Sequence, residues 1–266
     1  VFNIFGDYFC VFTLDMGICG AGIATAMGAG ISTLVMLTHF FKKSNTLRLQ
    51  FSKEIFRLFG RITVNGFSSF IIDVAMGVLT MLFNRQIMKY LGTDALAVYG
   101  VIVSVSTLVQ CCSYGIGQAS QPIISQNYGA GNVGRIKKML RYNIITAAIF
   151  GAVWAAITFA VPNGLIRLFM TPTASVFAIA PAIIRIYGSS FLLLPFNVYS
   201  TYYFQATMRA KTSMFVSVAR GILISGALIL IIPVTLGADM IWWAMPVTEL
   251  VVAVFAGAMM AKKIQL

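Results

Sequence analysis

Residues 142–161 read YNIITAAIFGAVWAAITFAV, twenty consecutive positions without a formal charge. A bilayer core about 30 Å thick is crossed by ~20 such residues, because an α-helix satisfies every backbone N–H and C=O inside the segment. Arg135, Lys137, Lys138 and Arg141 stand just ahead of the run and mark its aqueous end. Working outward with the same criterion gives eight spans: 1–12, 16–41, 58–83, 95–117, 142–161, 178–204, 214–233 and 240–261. The expected fold class is therefore all-α, a polytopic membrane protein.

Composition agrees with this. The chain is 59% hydrophobic and only 10% charged, whereas an ordinary soluble domain carries roughly 25% charged residues. A core cannot absorb so much apolar surface, but lipid can. The formal charge of +12 would by itself suit nucleic acid or an anionic surface. Its distribution excludes nucleic acid, since the cations cluster between apolar runs instead of forming a continuous face with interleaved aromatics.

The clusters also give an orientation. Lys42, Lys43, Arg48, Lys53, Arg57 and Arg61 belong to one side, as do Arg135, Lys137, Lys138 and Arg141. Arg209, Lys211, Arg220, Lys262 and Lys263 complete that side, against Arg85, Lys89 and Arg167 opposite. Fifteen against three, alternating through the spans, places the richer side and the C-terminus in the cytoplasm. Arg185 lies about one turn inside its span and is expected to snorkel. The reading divides the chain into 1–43, the end of one helical bundle; 44–57, a basic cytoplasmic linker; and 58–266, a six-helix bundle. Because Val1 already lies in an apolar run, the chain reads as a fragment of a longer protein.

A faint repeat accompanies this division. Thr13-Leu14 opens a small-residue span closing at Phe41-Lys42-Lys43, and Thr235-Leu236 opens one closing at Ala261-Lys262-Lys263. Cys10, Cys19, Cys111 and Cys112 lie in apolar stretches without metal-site or disulfide spacing, and read as buried small apolar residues. Neither HExxH, GxSxG, a phosphate loop nor a His/Cys cluster occurs, so nothing points to an enzyme.

Only seven acids are present, and three of them, Asp7, Asp73 and Glu249, fall inside expected spans. A charge at the bilayer centre costs about 2.5–3.5 kcal/mol on the insertion scale, so such residues face a cavity or a partner. Asn65, Ser69, Asp73, Gly77, Thr80 and Asn84 follow at near i+3 and i+4 steps and form one polar stripe. The stripe lines a cavity or packs on another helix. Gln110, Tyr114, Gln118 and Gln121 make a second stripe with the same two readings, and Asn197 joins the cavity candidates. Glu249, after Pro246, is either a structural hydrogen-bonded acid or a transport residue. Burial disfavours the ionised form of a carboxylic acid and a nearby cation favours it, which suits proton–cation exchange. Asn3 and Asp7 are one turn apart, and Thr25 on the next span can complete a set of hard oxygen ligands for a small cation such as Na⁺.

The stretch 115–135, GIGQASQPIISQNYGAGNVGR, resembles the cytoplasmic motif of multidrug and toxic compound extrusion (MATE) transporters. Three further stretches are similar to that family in the right order. They are Phe83-Asn84 through Tyr99-Gly100-Val101-Ile102, then Tyr203-Phe204-Gln205-Ala206, then 237–249, GADMIWWAMPVTE. The resemblance covers essentially the whole chain and implies helices five to twelve of twelve. It implies two six-helix bundles in a V that alternate access and export amphipathic cations in exchange for Na⁺ or H⁺. Asn3 and Asp7 match the family's Asn-x-x-x-Asp pair, Thr25 its sixth-helix Thr, and Asp73 its seventh-helix acid, often Glu. Glu249 matches a twelfth-helix acid. The family's first-helix Asp has no counterpart here, and its tenth-helix Asp none within 178–204.

The expected function is thus a cation-coupled exporter in a bacterial cytoplasmic (inner) membrane. Its partners are membrane lipids and small amphipathic cations, it works as a monomer, and Na⁺ or H⁺ is its only bound cofactor. A lipid-linked oligosaccharide flippase of a related branch and a non-transporting remnant are the alternatives.

Overall fold

The structure, a computed structural model, describes residues 2–41 and 55–261. The side chains of residues 2, 55–58, 61, 64–66, 68, 69 and 71–73 are outside the described set. Among the described residues all regular structure is helical. The linker cations from Lys42 to Lys53, and Lys262 and Lys263, lie outside the described residues. The chain forms two compact units, Val1–Phe56 and Arg57–Leu266.

The first unit holds α1, Phe2–Tyr8, which runs into a π turn, Phe9–Thr13, and α2, Gly17–Leu37, which ends in a 3-10 turn, Thr38–Phe41. Gly20 lets α2 approach the π turn: a Cβ there would stand 2.7 Å from the Cys10 carbonyl oxygen.

The second unit begins within α3, Ile55–Tyr90, and continues into α4, Gly92–Gly129. Their 36 and 38 residues give lengths of about 54 and 57 Å at 1.5 Å per residue, well beyond a bilayer core. α4 carries the 115–135 motif as continuous helix up to Gly129, and the chain then reverses at Gly131, whose φ of +73° suits a residue without Cβ. α5 is Val133–Ala160 and α6 the short Pro162–Phe169, with proline in its first turn, where its missing N–H costs nothing. The span reading did not anticipate α6, which is too short to register as an apolar run.

The remaining spans are each broken helices. α7, Ala174–Gly188, is capped by Thr173, whose Oγ1 accepts from the Val176 N–H. A 3-10 turn, Ser189–Leu192, joins it to α8, Leu194–Ala206, and Pro195 sits in the first turn of α8. α9, Ala210–Val218, passes through a π turn, Ala219–Leu223, into α10, Ile224–Thr235. The last run pairs a 3-10 turn, Ala238–Trp243, with α11, Ala244–Ala261. Pro246 therefore lies in the first turn of α11 and marks a helix start.

Six of these helical runs are long and apolar enough to cross a membrane: Gly17–Phe41, Gly92–Gly129, Val133–Ala160, Ala174–Ala206, Ala210–Thr235 and Ala238–Ala261. The six coincide with six of the eight expected spans. The most apolar window of Val133–Ala160 is only 22% buried. Ile145, Ile149 and Val153, at i, i+4 and i+8, are 45%, 61% and 50% exposed. An uncovered apolar stripe on a continuous helix is what a lipid-facing surface requires. Cys19, Cys111 and Cys112 are exposed and Cys10 half-buried, which corrects the buried-thiol reading: those three face outward from apolar helices, where hydrocarbon is as hospitable as a core.

Small residues set the helix spacing. α4 packs most extensively on α8, with Gly117 beneath the Tyr202 ring; α5 meets the 189–192 turn at Gly151, and α7 meets α5 where Gly188 faces Thr158. A Cβ at any of these three would overlap its neighbour. At Gly151 the obstacle is the Leu192 backbone carbonyl, which cannot rotate away. Gly151→Ala is expected to lose about 1–3 kcal/mol through overpacking, read as a lower thermal midpoint in detergent. Gly100→Ala meets nothing within 4 Å and is expected to be neutral or to gain about 0.5–1 kcal/mol.

Candidate functional site

Glu249, the sixth residue of α11, is 0% exposed in a helix otherwise built of apolar and small residues. An isolated carboxylate there would be costly, and its surroundings explain its presence. Arg220 Nε donates to Glu249 Oε1 at 2.8 Å. Asn197 Nδ2, from α8, donates to Oε2 at 2.6 Å and to the Glu249 carbonyl at 2.8 Å. Each carboxylate oxygen thus has one donor, one charged and one neutral. Three separate elements meet at this acid, and Asn197, also 0% exposed, keeps an Oδ1 with no hydrogen-bond partner among the described residues.

Arg220 is placed by the π turn between α9 and α10. A π turn holds one residue more than an α turn, so it breaks the regular helical ladder and re-aims its side chains. Ser225 Oγ donates to the Arg220 carbonyl at 2.7 Å, supplying a donor where the ladder is disturbed. The guanidinium is 12% exposed, and its Nε–Glu249 contact is its only hydrogen bond among the described residues.

The exposed side of Arg220 borders a cavity within the second unit. Thr80, Ser106, Gln110 and Ser217 contribute polar atoms, and Phe83, Tyr99 and Tyr187 an aromatic wall. Phe83 stacks on Tyr99 at 4.9 Å between ring centroids, and Tyr187 meets both rings edge-on at 6.1 and 6.4 Å. The volume open to water centres is about 60 Å³, enough for several waters where one needs roughly 10–15 Å³. Glu249 is not among the residues that line the cavity, whereas its partner Arg220 is.

The expected site residues fall as follows. Gln110 lines the cavity and its Nε2 donates to Tyr114 Oη at 2.6 Å, while Tyr114 meets the Tyr202 ring edge-on. Further along the same helix Gln118 donates to Tyr202 Oη at 3.5 Å and Gln121 to Gln205 Oε1 at 3.3 Å. The second stripe is thus a cavity wall at Gln110 and an α4–α8 contact below it. Asn84 is exposed and does not line this cavity. The side chains of Asn65, Ser69 and Asp73 lie outside the described residues, although α3 carries all three and its Thr80 borders the cavity.

In the first unit Asn3 Nδ2 donates to Thr25 Oγ1 at 3.3 Å, so α1 and α2 bring those two together. Asp7 is half-buried and its Oδ1 has no partner among the described residues. Asn3, Thr25 and Asp7 are the residues that could hold a cation there, through neutral and anionic oxygens.

Two arginines, Arg185 and Arg220, stand inside membrane-length helical runs. Arg185 donates from Nε to the Phe159 carbonyl at 3.2 Å, in the last turn of α5, where a cation suits the free carbonyls. Arg220 was expected in a cytoplasmic connection and is instead about three turns inside the helical run Ala210–Thr235. Its distance from Lys211 was the available signal; pairing with Glu249 is what permits it. Removing either charge leaves the other stranded. Arg220→Gln or Glu249→Gln alone is expected to cost about 3–5 kcal/mol, and the double substitution to regain most of it. Thermal unfolding of the four proteins in detergent measures this.

Comparison with known proteins places the architecture. The MatE family model matches residues 67–231, more than half of the chain. The multidrug export protein MepA of Staphylococcus saprophyticus is 25% identical over 258 residues, covering 96% of this chain and 56% of the relative. MepA of Staphylococcus aureus is 24% identical over 256 residues with the same coverage. A multidrug resistance MATE family transporter of the MOP superfamily, solved in an outward-facing conformation, superposes with a TM-score of 0.86 at 21% identity, covering 97% of this chain and 58% of that one. A MOP superfamily transporter of Pyrococcus furiosus, whose binding pocket is described as reversed in polarity, gives 0.85 at 20% identity, with 97% and 59% covered. The chain spans about half the length of the curated relatives it matches. A match over most of an all-helical unit, not a motif alone, establishes the relationship: this chain belongs to the MatE family of multidrug and toxic compound extrusion transporters, a family of transporters and not of enzymes.

Proposed function

We propose that the protein is a cation-coupled antiporter that exports amphipathic cationic compounds across a bacterial cytoplasmic membrane by alternating access, its C-terminus in the cytoplasm. The observation that carries this reading is a fully buried acid, Glu249, held by Arg220 and Asn197 beside an aromatic-walled cavity. A membrane helix retains an ionisable group for binding or relay, since hydrocarbon penalises it otherwise. Its relatives bear the name multidrug export protein.

In this reading Asp73 and the aromatic residues attract the organic cation, through charge and ring quadrupole together. Asn3, Asp7 and Thr25 take Na⁺, or Asp7, Asp73 and Glu249 take H⁺. The coupling ion drives the cycle only to the extent that it binds one access state more tightly than the other. The flippase alternative calls for a cationic cavity. Arg220 borders the cavity, but Glu249 neutralises it, so an exporter of cations fits better. Comparing ethidium with a lipid-linked oligosaccharide as cargo in reconstituted vesicles separates the two.

Asp73→Asn is expected to abolish ethidium efflux from cells expressing the protein at wild-type level. Efflux at the wild-type rate in that variant removes Asp73 from the mechanism. Dissipating the Na⁺ and the H⁺ gradients separately identifies the coupling ion.

A further inference from the structure

α5 carries four cations in its first turns, Arg135, Lys137, Lys138 and Arg141, and all four are exposed. None is ion-paired among the described residues, and the sequence holds no acid anywhere between Asp94 and Asp239. Arg135 and Lys138 begin a row that continues through Tyr142, Ile145, Ile149 and Val153 in steps of three and four. Cations and uncovered apolar residues therefore share one face of a single continuous helix. Lys138 Nζ lies over the Tyr142 ring, 5.9 Å from its centroid, and that tyrosine is 53% exposed. An exposed tyrosine at the end of an apolar run marks the level at which acyl chain gives way to headgroup.

The depths agree with this. Four residues of helix raise Lys138 about 6 Å above Tyr142, and each headgroup layer is about 5–8 Å thick. From Tyr142 to Val153 the helix runs about 16 Å, close to half of a ~30 Å core and so to the depth of one acyl chain. Guanidinium groups bind phosphate oxygens through paired N–H donors, whereas the ammonium of a zwitterionic lipid is repelled by the same cluster. We propose that this face of α5 is a binding site for an anionic phospholipid. Its phosphate lies against Arg135, Lys138 and Arg141, and one acyl chain lies along Ile145, Ile149 and Val153. The inference concerns the lipid and is independent of what the protein exports.

Other arginines of the unit are engaged by the protein itself. Arg209 Nη1 donates to the Met259 carbonyl at 3.3 Å, Arg185 Nε to the Phe159 carbonyl, and Arg220 is paired with Glu249. Because the α5 cations are exposed, salt screens their preference for a charged headgroup, over about 8 Å at physiological ionic strength. The apolar contact below them is not screened.

Fluorescence quenching by chain-brominated lipids tests this at single positions. Trp154 and Trp243 are replaced by phenylalanine, and Trp242, which is buried, is kept. In that background Ile145→Trp reports the leaflet on the Arg135 side. Val234→Trp, exposed near the far end of the run Ala210–Thr235, reports the opposite one. The protein is reconstituted in mixtures of phosphatidylglycerol and phosphatidylcholine, with one or the other brominated. At Ile145→Trp phosphatidylglycerol is expected to bind at least about fivefold more tightly, roughly the factor that one basic residue contributes near an anionic surface. About 1 M salt should abolish the preference, and none is expected at Val234→Trp. Adding Arg135→Gln and Lys138→Gln should bring the preference to near unity while brominated phosphatidylcholine still quenches, so the helix still meets lipid. Arg135→Lys with Arg141→Lys should keep it. Equal quenching by the two lipids at Ile145→Trp, the same preference at Val234→Trp, or a preference that survives the glutamine pair would overturn the proposal and leave the cations as markers of the aqueous end. Loss of the preference in millimolar inorganic phosphate, but not in chloride of equal ionic strength, would also overturn it by making the cluster a site for soluble phosphate.

Discussion

Hydrocarbon cannot solvate a charge, and the second unit is organised around that fact. Glu249 is tolerable only because Arg220 and Asn197 each occupy one of its oxygens. Those partners come from α8 and from the turn between α9 and α10, so three helical runs are tied to one carboxylate. The net gain from such a pair is small, because two charges must first be desolvated; its effect is to exclude arrangements in which either charge is alone. The π turn follows from this requirement. A regular helix through 219–223 would aim position 220 differently, and the Ser225 hydroxyl bonds the carbonyl that the irregular turn leaves behind.

Close packing supplies what hydrophobicity cannot. Lipid tails are as apolar as leucine, so helices associate by shape and by hydrogen bonds instead of by escape from water. Gly117, Gly151 and Gly188 mark the approaches at which α4, α5 and α7 touch their neighbours, and each is backed by an atom that a methyl would displace. Around these contacts the aromatic group Phe83, Tyr99, Tyr187 and Trp242 fills one end of the bundle, and Tyr199, Tyr203 and Phe204 fill the other. The cavity lies where the aromatic cluster gives way to the ion pair, so it has an apolar wall and a polar end.

Much of this was legible in the sequence, because one periodicity and one solvent decide it. The twenty uncharged residues at 142–161 needed no context to read as a membrane helix, and the same holds for five other runs. Glu249 stood out by charge alone. Its partner did not, because an arginine near Arg209 and Lys211 looks like part of a cytoplasmic cluster until the helix is seen to continue past it. The stripe on α4 was visible as a stripe, but whether Gln118 and Gln121 met water or Tyr202 and Gln205 depended on α8, which is distant in sequence. The breaks at 189–192 and 219–223 were not legible either. Their causes are tertiary: a proline in the next turn for the first, a buried charge for the second.

Lipid must surround these helices, and spin labels along α5 test this most directly. With the four cysteines replaced, labels are placed one at a time at positions 145 through 153 and their relaxation is read with oxygen and with a water-soluble nickel chelate. Oxygen access should peak at Ile145, Ile149 and Val153 and fall at buried Ala147 and Gly151, with the chelate excluded throughout. Strong relaxation by the chelate at Ile149 would mean that water covers this face, and the reason for a buried Arg220–Glu249 pair would go with it.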